Sequence, residues 1–426
     1  MDCNPSVLFV DDNESMLRSL ARLLTGQQSK WTVLFARSGQ EALSILADQA
    51  CDVVVSDANL PDMTGCMLMD QIRDARPQTL RIILTSRSED GIVSGLLQSA
   101  HQLLSTPCPA ERLVNAVQTT CRLRDLYMNR SVRTMIHKMT HLPVVPKIYT
   151  DLRAELGKEN FTLQAAGDII TQDMGLTADL LKIVNSPYFG LARRIDSPRQ
   201  AVTILGVTML TGLVLHQQLL KTLDPAKYPG FNVERLWAHS LEVARWVRTI
   251  AKREGLQGHD VKNAFLAGLF HDLGKIVLNE GVPDEYIHVL RKSQTENIPL
   301  VAAESAVLGV THAEIGAYVL GLWDFDHAVV RAIAAHHEPS RHEDAGTIST
   351  ILHCVNVFLH DMYIKNTGHH PLALDEEYIA AQGMTDTVCV WQNAITDAWR
   401  NRHRPLAGTL QTPRNPGHGQ THRTQA

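Results

Sequence analysis

Hydrophobic positions in the first part of the chain are grouped in short runs that amphipathic segments separate. The runs occupy residues 7–10, 33–36, 53–56 and 82–85, with a weaker one at 103–105. Short apolar runs of this kind are typical of strands buried in a parallel sheet, and the segments between them have the periodicity of crossover helices. The pattern predicts a doubly wound α/β domain of flavodoxin-like size with a five-stranded parallel sheet.

From residue 126 onward the strand pattern disappears and apolar residues recur at helical spacing. Pro143 and Pro146 end the first of these helical segments, because proline disfavours helix at and just before its own position. The predicted organisation is an α/β domain at 1–122, a helical connector at 123–140, an all-α domain at 141–345, its C-terminal helices at 346–400 and a disordered tail at 401–426.

Composition narrows the class of protein without identifying it. The chain is 44% hydrophobic and 20% charged, which argues against a disordered or fibrous protein. The net charge of -5 says little about partners, but the tail after Asp397 carries five arginines and no acid, so the rest of the chain has a net charge of -10, which argues against broad, non-specific binding to DNA. The 7 cysteines include no C-x-x-C pair, and no apolar run approaches the length of a membrane span. We therefore expect a cytoplasmic protein without a membrane span.

Acidic residues follow two of the predicted strands. Asp11 and Asp12 come after the first strand, Asp57 after the third, and Thr85 ends the fourth. The carboxyl ends of parallel strands meet at one edge of the sheet, so these side chains should converge. Carboxylates and a backbone carbonyl, here that of Asn59, are ligands that Mg²⁺ prefers. The pattern predicts a magnesium site in which Asp57 is the nucleophile for a phosphoryl group.

Residues 6–120 resemble a response-regulator receiver domain. The resemblance depends on residues 10–13, on Asp57 followed by 60–65, on 82–86 and on the Pro107 loop. It implies that a histidine kinase phosphorylates Asp57 and that Thr85 contacts the phosphoryl group. Thr106 stands where receivers normally have lysine, and Leu103 stands at the usual aromatic position. A receiver whose phosphorylation is poorly transmitted, or one that is constitutive, therefore stays an alternative.

Several of the 20 histidines lie in apolar, helical parts of the second domain, where a polar ring needs an explanation. They are His239, His271 beside Asp272, His312, and the pair His336 and His337. A buried cluster of imidazoles with one carboxylate suits a transition metal, which lowers the pKa of a bound water for attack on phosphorus. Core histidines that only satisfy hydrogen bonds are the alternative interpretation.

The order of these residues resembles the HD superfamily of metal-dependent phosphohydrolases. The superfamily's closing aspartate is replaced here by Asn356, and Lys275 would lie near a phosphate. Within the superfamily the chain resembles the HDOD domain, an HD-related output domain. That resemblance depends on residues 142–146, 169–173, 180–186, 201–206 and 270–275. HDOD domains are generally regarded as interaction or regulatory modules, and the loop after Glu338 lacks the Gly-Tyr-Pro signature of cyclic di-guanylate phosphodiesterases.

These observations predict a two-component response regulator, phosphorylated on Asp57, whose HDOD domain acts through contact with an unidentified protein. The alternative is a receiver-controlled phosphohydrolase with Fe, Mn or Zn, acting on a nucleotide or cyclic dinucleotide. A nucleic-acid-binding output is disfavoured because neither a helix-turn-helix pattern nor a basic stripe follows the receiver. Whether the protein forms a homodimer is left open.

Overall fold

A computed structural model of the chain describes most of both predicted domains. The described residues are 6–24, 31–76, 79–86, 100, 102–106, 113–114, 117, 130–139, 146–158, 160–186, 188–189, 191, 193–222, 232–323, 325–342, 345–364 and 371–402. Most of the predicted tail at 401–426 lies outside them, as does Pro107.

The first domain is a parallel sheet with helices packed on it. Its strands are β1 (Ser6–Val10), β2 (Thr32–Ala36), β3 (Val53–Asp57), β4 (Leu80–Ser86) and β5 (Gln102–Thr106), in the order β2-β1-β3-β4-β5. The chain moves from β1 to one neighbour, β2, and then returns to the other side of β1 to form β3. The predicted doubly wound parallel fold is confirmed, and its topological switch point lies between β1 and β3, where such folds bind ligands.

Three described helices cross between these strands: α1 (Glu14–Leu24), α2 (Gly39–Asp48) and α3 (Gly65–Ala75). The hydroxyl of Ser38 accepts a hydrogen bond from the Glu41 backbone N–H, and that of Thr64 accepts one from Met67. These N-caps satisfy backbone donors that have no partner inside the helix. The helices therefore begin directly after the strand-end loops that carry the predicted site.

The second part of the chain is helical, as predicted. A connector helix, α4 (Arg130–Lys138), precedes α5 (Lys147–Leu156), α6 (Leu163–Thr171), α7 (Met174–Val184), α8 (Pro198–Leu205), α9 (Val207–Thr222), α10 (Val233–Arg253), α11 (Gly258–Phe270), α12 (Leu273–Gly281), α13 (Pro283–Glu296), α14 (Leu300–Leu308), α15 (His312–Leu322), α16 (His327–Ala334), a 3₁₀ turn (Pro339–Arg341), α17 (Thr347–Ile364), α18 (Glu376–Ala381) and α19 (Thr385–Arg402).

Two glycines allow unusually close helix packing around the centre of this domain. A Cβ atom on Gly268 of α11 would lie 2.6 Å from Cα of Ala244 in α10. A Cβ atom on Gly274 of α12 would lie 1.9 Å from the carbonyl oxygen of His312 in α15. Neither approach is open to a residue with a side chain, because real Cβ atoms do not come this close to backbone atoms. These crossings hold the helices that carry the predicted histidines.

Among the described helices, none is by itself long and apolar enough to cross a membrane. The helices α14 and α15, which are bent by 80° at their junction, meet that test of length and composition only when they are taken together.

Candidate functional site

The structure brings the three predicted receiver aspartates together. Asp11 and Asp12 follow β1, Asp57 ends β3, and one carboxylate oxygen of each lies within 4.8 Å of the others. Asp12 is exposed, whereas Asp11 and Asp57 are half-buried. Backbone amides orient two of them, since Ala58 N–H donates to Asp57 Oδ1 at 2.7 Å and Asn13 N–H donates to Asp11 Oδ1 at 2.8 Å.

The crowding of these acids affects their protonation. Burial raises the pKa of Asp57, backbone hydrogen bonds from Ala58 oppose that rise, and the charge of Asp11 adds to it. The pKa of Asp11 is raised as well, mainly by burial. Two half-buried carboxyl groups whose pKa values are raised mainly by burial, beside a third acid, form a group of oxygen ligands that a hard cation would stabilise in the charged form.

The other predicted receiver residues surround this group. Asn59 is exposed and pairs with Thr64 through an isolated antiparallel bridge, which leads the chain into α3. Thr85 is buried near the end of β4, opposite Ser105 of β5. Thr106 lies opposite Ser86, one position further along the strand pair. Their proposed roles in a phosphorylation switch stay predictions.

The six predicted donors of the second domain also converge, although five different helices or helix ends supply them. His239 lies in α10, His271 and Asp272 lie at the junction of α11 and α12, His312 begins α15, and His336 and His337 follow α16. They form two groups, each with ligand atoms within 4.8 Å: His239, His271 and Asp272 in one, and His312, His336 and His337 in the other. We call these six residues the histidine cluster.

Short contacts hold each group together, and the carboxylate of Asp272 connects the two groups. His271 Nε2 lies 3.3 Å from His239 Nε2, and His337 Nε2 lies 2.9 Å from His312 Nε2. The Asp272 carboxylate lies between the groups, with Oδ2 at 3.4 Å from His271 Nε2 and Oδ1 at 3.3 Å from His312 Nε2. The two oxygens of Asp272 therefore face different groups, so this residue could serve as a ligand in either.

Backbone carbonyls orient two of the rings. The Nδ1 atom of His271 donates to the carbonyl of Gly268 at 2.9 Å, and that of His336 donates to the carbonyl of Ile333 at 2.6 Å. Each bond fixes the tautomer, so the unprotonated Nε2 faces the cluster, as in metal-ligating histidines. In the described part of the chain the buried Nε2 of His336 has no hydrogen-bond partner. Metal coordination would satisfy it.

A buried glutamate that the sequence analysis missed supports His312. Glu304 is completely buried, accepts a hydrogen bond from His312 Nδ1 at 2.6 Å and accepts another from the His312 backbone N–H at 2.8 Å. The hydroxyl of Tyr286 donates to its other oxygen at 3.0 Å. The signal in the sequence was a single acid within the otherwise apolar helix α14.

Burial sets the protonation state of most of these rings. It lowers the pKa of His239 to about 3, lowers that of His271, and lowers those of His336 and His337 well below the ordinary value. Burial also tends to lower the pKa of His312, but the Glu304 carboxylate outweighs it and raises the pKa overall. Neutral imidazole is the form that binds metal, so the cluster suits a cation at neutral pH.

Lys275 and Asn356 each contact a residue of the cluster. Lys275 Nζ donates to Asp272 Oδ2 at 2.8 Å, and its side chain is 17% exposed. Asn356 Oδ1 accepts from His239 Nε2 at 3.0 Å. The His239 side chain is 13% exposed, against 0–3% for His271, Asp272 and His312, so solvent reaches the cluster from the His239 and Lys275 side.

The donor set fits divalent transition metals. Imidazole nitrogens with one carboxylate suit Zn, Fe or Mn, whereas an all-oxygen group like that of the receiver suits Mg²⁺. Asn356 contributes a neutral oxygen beside His239, where an aspartate would contribute a charge. The residues present fit metals at both places, with different preferences.

Comparison with known protein families identifies both domains. The family model of the response regulator receiver domain matches residues 7–118, and that of the HDOD domain matches residues 142–339. An uncharacterized protein of Treponema pallidum is 26% identical over 203 residues, which are 47% of this chain and 38% of that protein. The DNA-binding transcriptional regulator NtrC of Salmonella typhimurium is 34% identical over 138 residues, 30% of this chain and 29% of that protein.

Solved structures of both kinds are similar to parts of the chain. A Geobacter sulfurreducens HDOD protein of unknown function has 26% identity and a TM-score of 0.49, covering 62% of this chain and 96% of its own. The receiver domain of an HD domain-containing protein from Pseudomonas fluorescens has 31% identity and a TM-score of 0.27, covering 29% of this chain and 90% of its own. The chain spans well under half the length of the two relatives named above.

Proposed function

Because the chain belongs to the response regulators and joins a receiver domain at 7–118 to an HDOD domain at 142–339, we propose that it is phosphorylated on Asp57 by a histidine kinase in the cytoplasm and that this modification controls the HDOD domain. The convergence of Asp11, Asp12 and Asp57 within 4.8 Å at the switch point of the sheet carries the proposal. The HDOD domain would act through contact with a partner protein.

The residues around Asp57 suit phosphoryl transfer. Asp11, Asp12, Asp57 and the carbonyl of Asn59 would hold Mg²⁺, which neutralises the charge of the incoming phosphoryl group. Ala58 N–H holds Asp57 Oδ1, and the carboxylate attacks phosphorus while the bond from phosphorus to the donor breaks. The hydroxyls of Thr85 and Thr106 would contact the product, but neither supplies the positive charge of the usual lysine.

The connector helix α4 and the residue after it contact the HDOD domain at two places. Met139, just after α4, packs on Gly281 at the end of α12, where a Cβ atom would lie 2.7 Å from Met139 Cγ. Ser131 in α4 lies 3.8 Å from the Cβ position of Gly309, directly after α14. A shift of the connector would therefore press on the helices that carry Lys275 and Glu304.

Incubation with acetyl phosphate and MgCl₂, followed by phosphate-affinity electrophoresis, tests the phosphoacceptor. The wild type should give a retarded band that EDTA abolishes and that Asp57→Asn lacks. Asp48→Asn, which changes an exposed acid at the end of α2, should be retarded like the wild type. A retarded band of full intensity in Asp57→Asn would show that the phosphoryl group goes elsewhere.

A second candidate function, a metal-dependent phosphohydrolase under receiver control, is favoured by the histidine cluster. The observation that supports it is the position of Asp272 between two groups of imidazoles. Bound Zn, Fe or Mn would supply a Lewis acid that lowers the pKa of water. In this chain the six donors would hold the metal, Lys275 would attract an anionic substrate, and Glu304 would keep His312 oriented.

Metal content decides between this candidate and an output that acts only by protein contact. Elemental mass spectrometry of protein purified without chelator or added metal should find Zn, Fe or Mn in the wild type and much less in His271→Ala. His288→Ala, which removes an exposed histidine of α13, should retain the wild-type amount. Metal-free wild-type protein would leave the histidines as core residues and remove the hydrolase candidate.

A further inference from the structure

A positively charged cavity lies at the end of the α10–α11 helix pair that is opposite to the histidine cluster. Its volume is about 430 Å³, and it is lined by Leu205, Met209, Arg248, Lys252, Leu256, Gln257, Gly258, Val261 and Lys262. Three of these residues are cations and none is an acid. The volume is within the usual range for small-molecule sites.

The three cations of this cavity differ in exposure, since Arg248 is half-buried whereas Lys252 and Lys262 are exposed. Arg245, one turn before Arg248 in α10, pairs with Glu242 and lies over the ring of Trp246. By contrast, no ion pair with a described residue involves Arg248, Lys252 or Lys262, and the buried Nε atom of Arg248 has no hydrogen-bond partner among those residues. The nearby Glu254 accepts from the indole N–H of Trp391. A half-buried, unpaired guanidinium is costly unless an anion reaches it.

Besides the three cations, the lining includes the start of a helix and a set of aliphatic side chains. Helix α11 begins at Gly258, and its N-cap residue Gln257 forms no side-chain capping bond, so the positive end of the helix lies at the cavity, although Asp260 N–H in this turn donates to the Gln257 carbonyl at 3.1 Å. The walls formed by Leu205, Met209, Leu256 and Val261 are aliphatic, and no aromatic ring lines the cavity. The lining therefore contains no aromatic side chain that could stack on a nucleobase.

We propose that this cavity binds a phosphate monoester with an aliphatic body, the phosphate contacting Arg248, Lys252 and Lys262 and the body packing on the leucine, methionine and valine side chains. Arginine forms paired hydrogen bonds to phosphate oxygens, and lysine adds point charges. The site is distinct from the histidine cluster, because the 13 residues of α11 separate them by about 20 Å. It depends on neither of the functions proposed above.

Isothermal titration calorimetry with hexyl phosphate, on the full chain in EDTA-containing buffer, tests the proposal. EDTA removes divalent cations from the receiver and from the histidine cluster. The wild type should bind hexyl phosphate, and should bind inorganic phosphate and hexanol more weakly, because each lacks one half of the ligand. Arg248→Gln and Lys262→Gln should each weaken binding about tenfold, the effect expected from one charge-assisted hydrogen bond.

Two matched variants separate this site from other sources of affinity. Arg253→Gln removes a charge from the same helix but outside the cavity, and it should bind like the wild type. Lys275→Gln removes the lysine beside the histidine cluster, and a loss of affinity in this variant with none in Arg248→Gln would place the ligand at that cluster and overturn the proposal. Absence of binding to the wild type, or equal losses in Arg253→Gln and Arg248→Gln, would overturn the proposal. A thermal melt of each variant confirms that it is folded.

Discussion

The receiver aspartates and the histidine cluster are both groups of potential metal ligands, yet they differ in exposure and in what orients them. In the receiver, Asp12 is exposed and Asp57 half-buried, and backbone N–H groups hold the carboxylates. In the HDOD domain, His271 and His336 are completely buried, and backbone carbonyls hold the imidazoles.

This difference follows from the protonation state that each ligand needs. A donated N–H favours a charged carboxylate, and an accepting carbonyl fixes a neutral imidazole with its free nitrogen turned inward. Burial helps the histidines stay neutral but opposes the charge on the aspartates. A partly exposed group of acids would therefore suit reversible binding of a hard cation. A largely buried group of imidazoles would suit tight binding of a transition metal.

If the histidine cluster depends on close helix packing, the largest effect should come from Gly274→Ala. The new Cβ would lie 1.9 Å from the His312 carbonyl oxygen, so α12 and α15 would have to separate, and Asp272 and His312 with them. We expect a loss of about 3 kcal/mol in the free energy of unfolding, the upper range for overpacking. Urea unfolding followed by tryptophan fluorescence measures it.

Gly157→Ala is the matched control for that variant. Gly157 has a φ of -81°, and only ordinary contacts of 3.7–3.8 Å surround its Cβ position, so alanine should be accepted with little change. Equal stability of the two variants would show that the α12–α15 crossing tolerates a side chain and that tight packing does not define the cluster.

The second largest effect should come from Glu304, which orients the proposed metal ligand His312. Glu304→Gln keeps the shape of the side chain but removes the charge that holds His312 Nδ1–H. Loss of such a support typically weakens metal binding by about 10- to 100-fold. Competition with a chelator, read by elemental analysis, measures the change. Glu296→Gln, an exposed acid at the end of α13, should leave affinity unchanged; a similar loss in both would deny Glu304 a role.

Asn356→Asp should have the third largest effect, because it adds a second carboxylate to the first group beside that of Asp272. The new carboxylate would lie next to His239 Nε2, now 3.0 Å from the amide oxygen. We expect about tenfold tighter retention of metal against a chelator, since a charged oxygen replaces a neutral one. Asn232→Asp adds the same charge at the N-cap of α10 and should have no such effect. Unchanged retention would indicate that Asn356 does not face the metal.

The sequence predicted the ligands of both sites better than their supports. Parallel strands must end at one edge, so Asp11 and Asp57 had to meet once the strands were recognised. His239 and His312 are 73 positions apart, and only the resemblance placed them together. Glu304 was missed because its role depends on a contact between α14 and the start of α15, which helical periodicity does not reveal. The uncapped start of α11 beside Arg248 likewise required the structure.

The smallest expected effect is in the receiver, where removing the charge of Asp57 should raise the free energy of unfolding instead of lowering it. Burial and the charges of Asp11 and Asp12 raise the pKa of Asp57, so the folded domain holds that proton more tightly than the unfolded chain. The contribution of Asp57 to the stability of the fold is present at low pH and is lost as the pH rises through the pKa that Asp57 has in the folded protein. Asp57→Asn should therefore stabilise the protein at pH 7 without Mg²⁺, by less than about 1 kcal/mol because solvent screens a half-exposed carboxylate, and should give no gain near pH 3. Added Mg²⁺ should stabilise the wild type more than the variant and narrow the difference in stability between them.

Thermal unfolding at the two pH values, with and without Mg²⁺, measures these differences. A wild type more stable than Asp57→Asn at pH 7 without Mg²⁺ would contradict the crowding of charge inferred for this site.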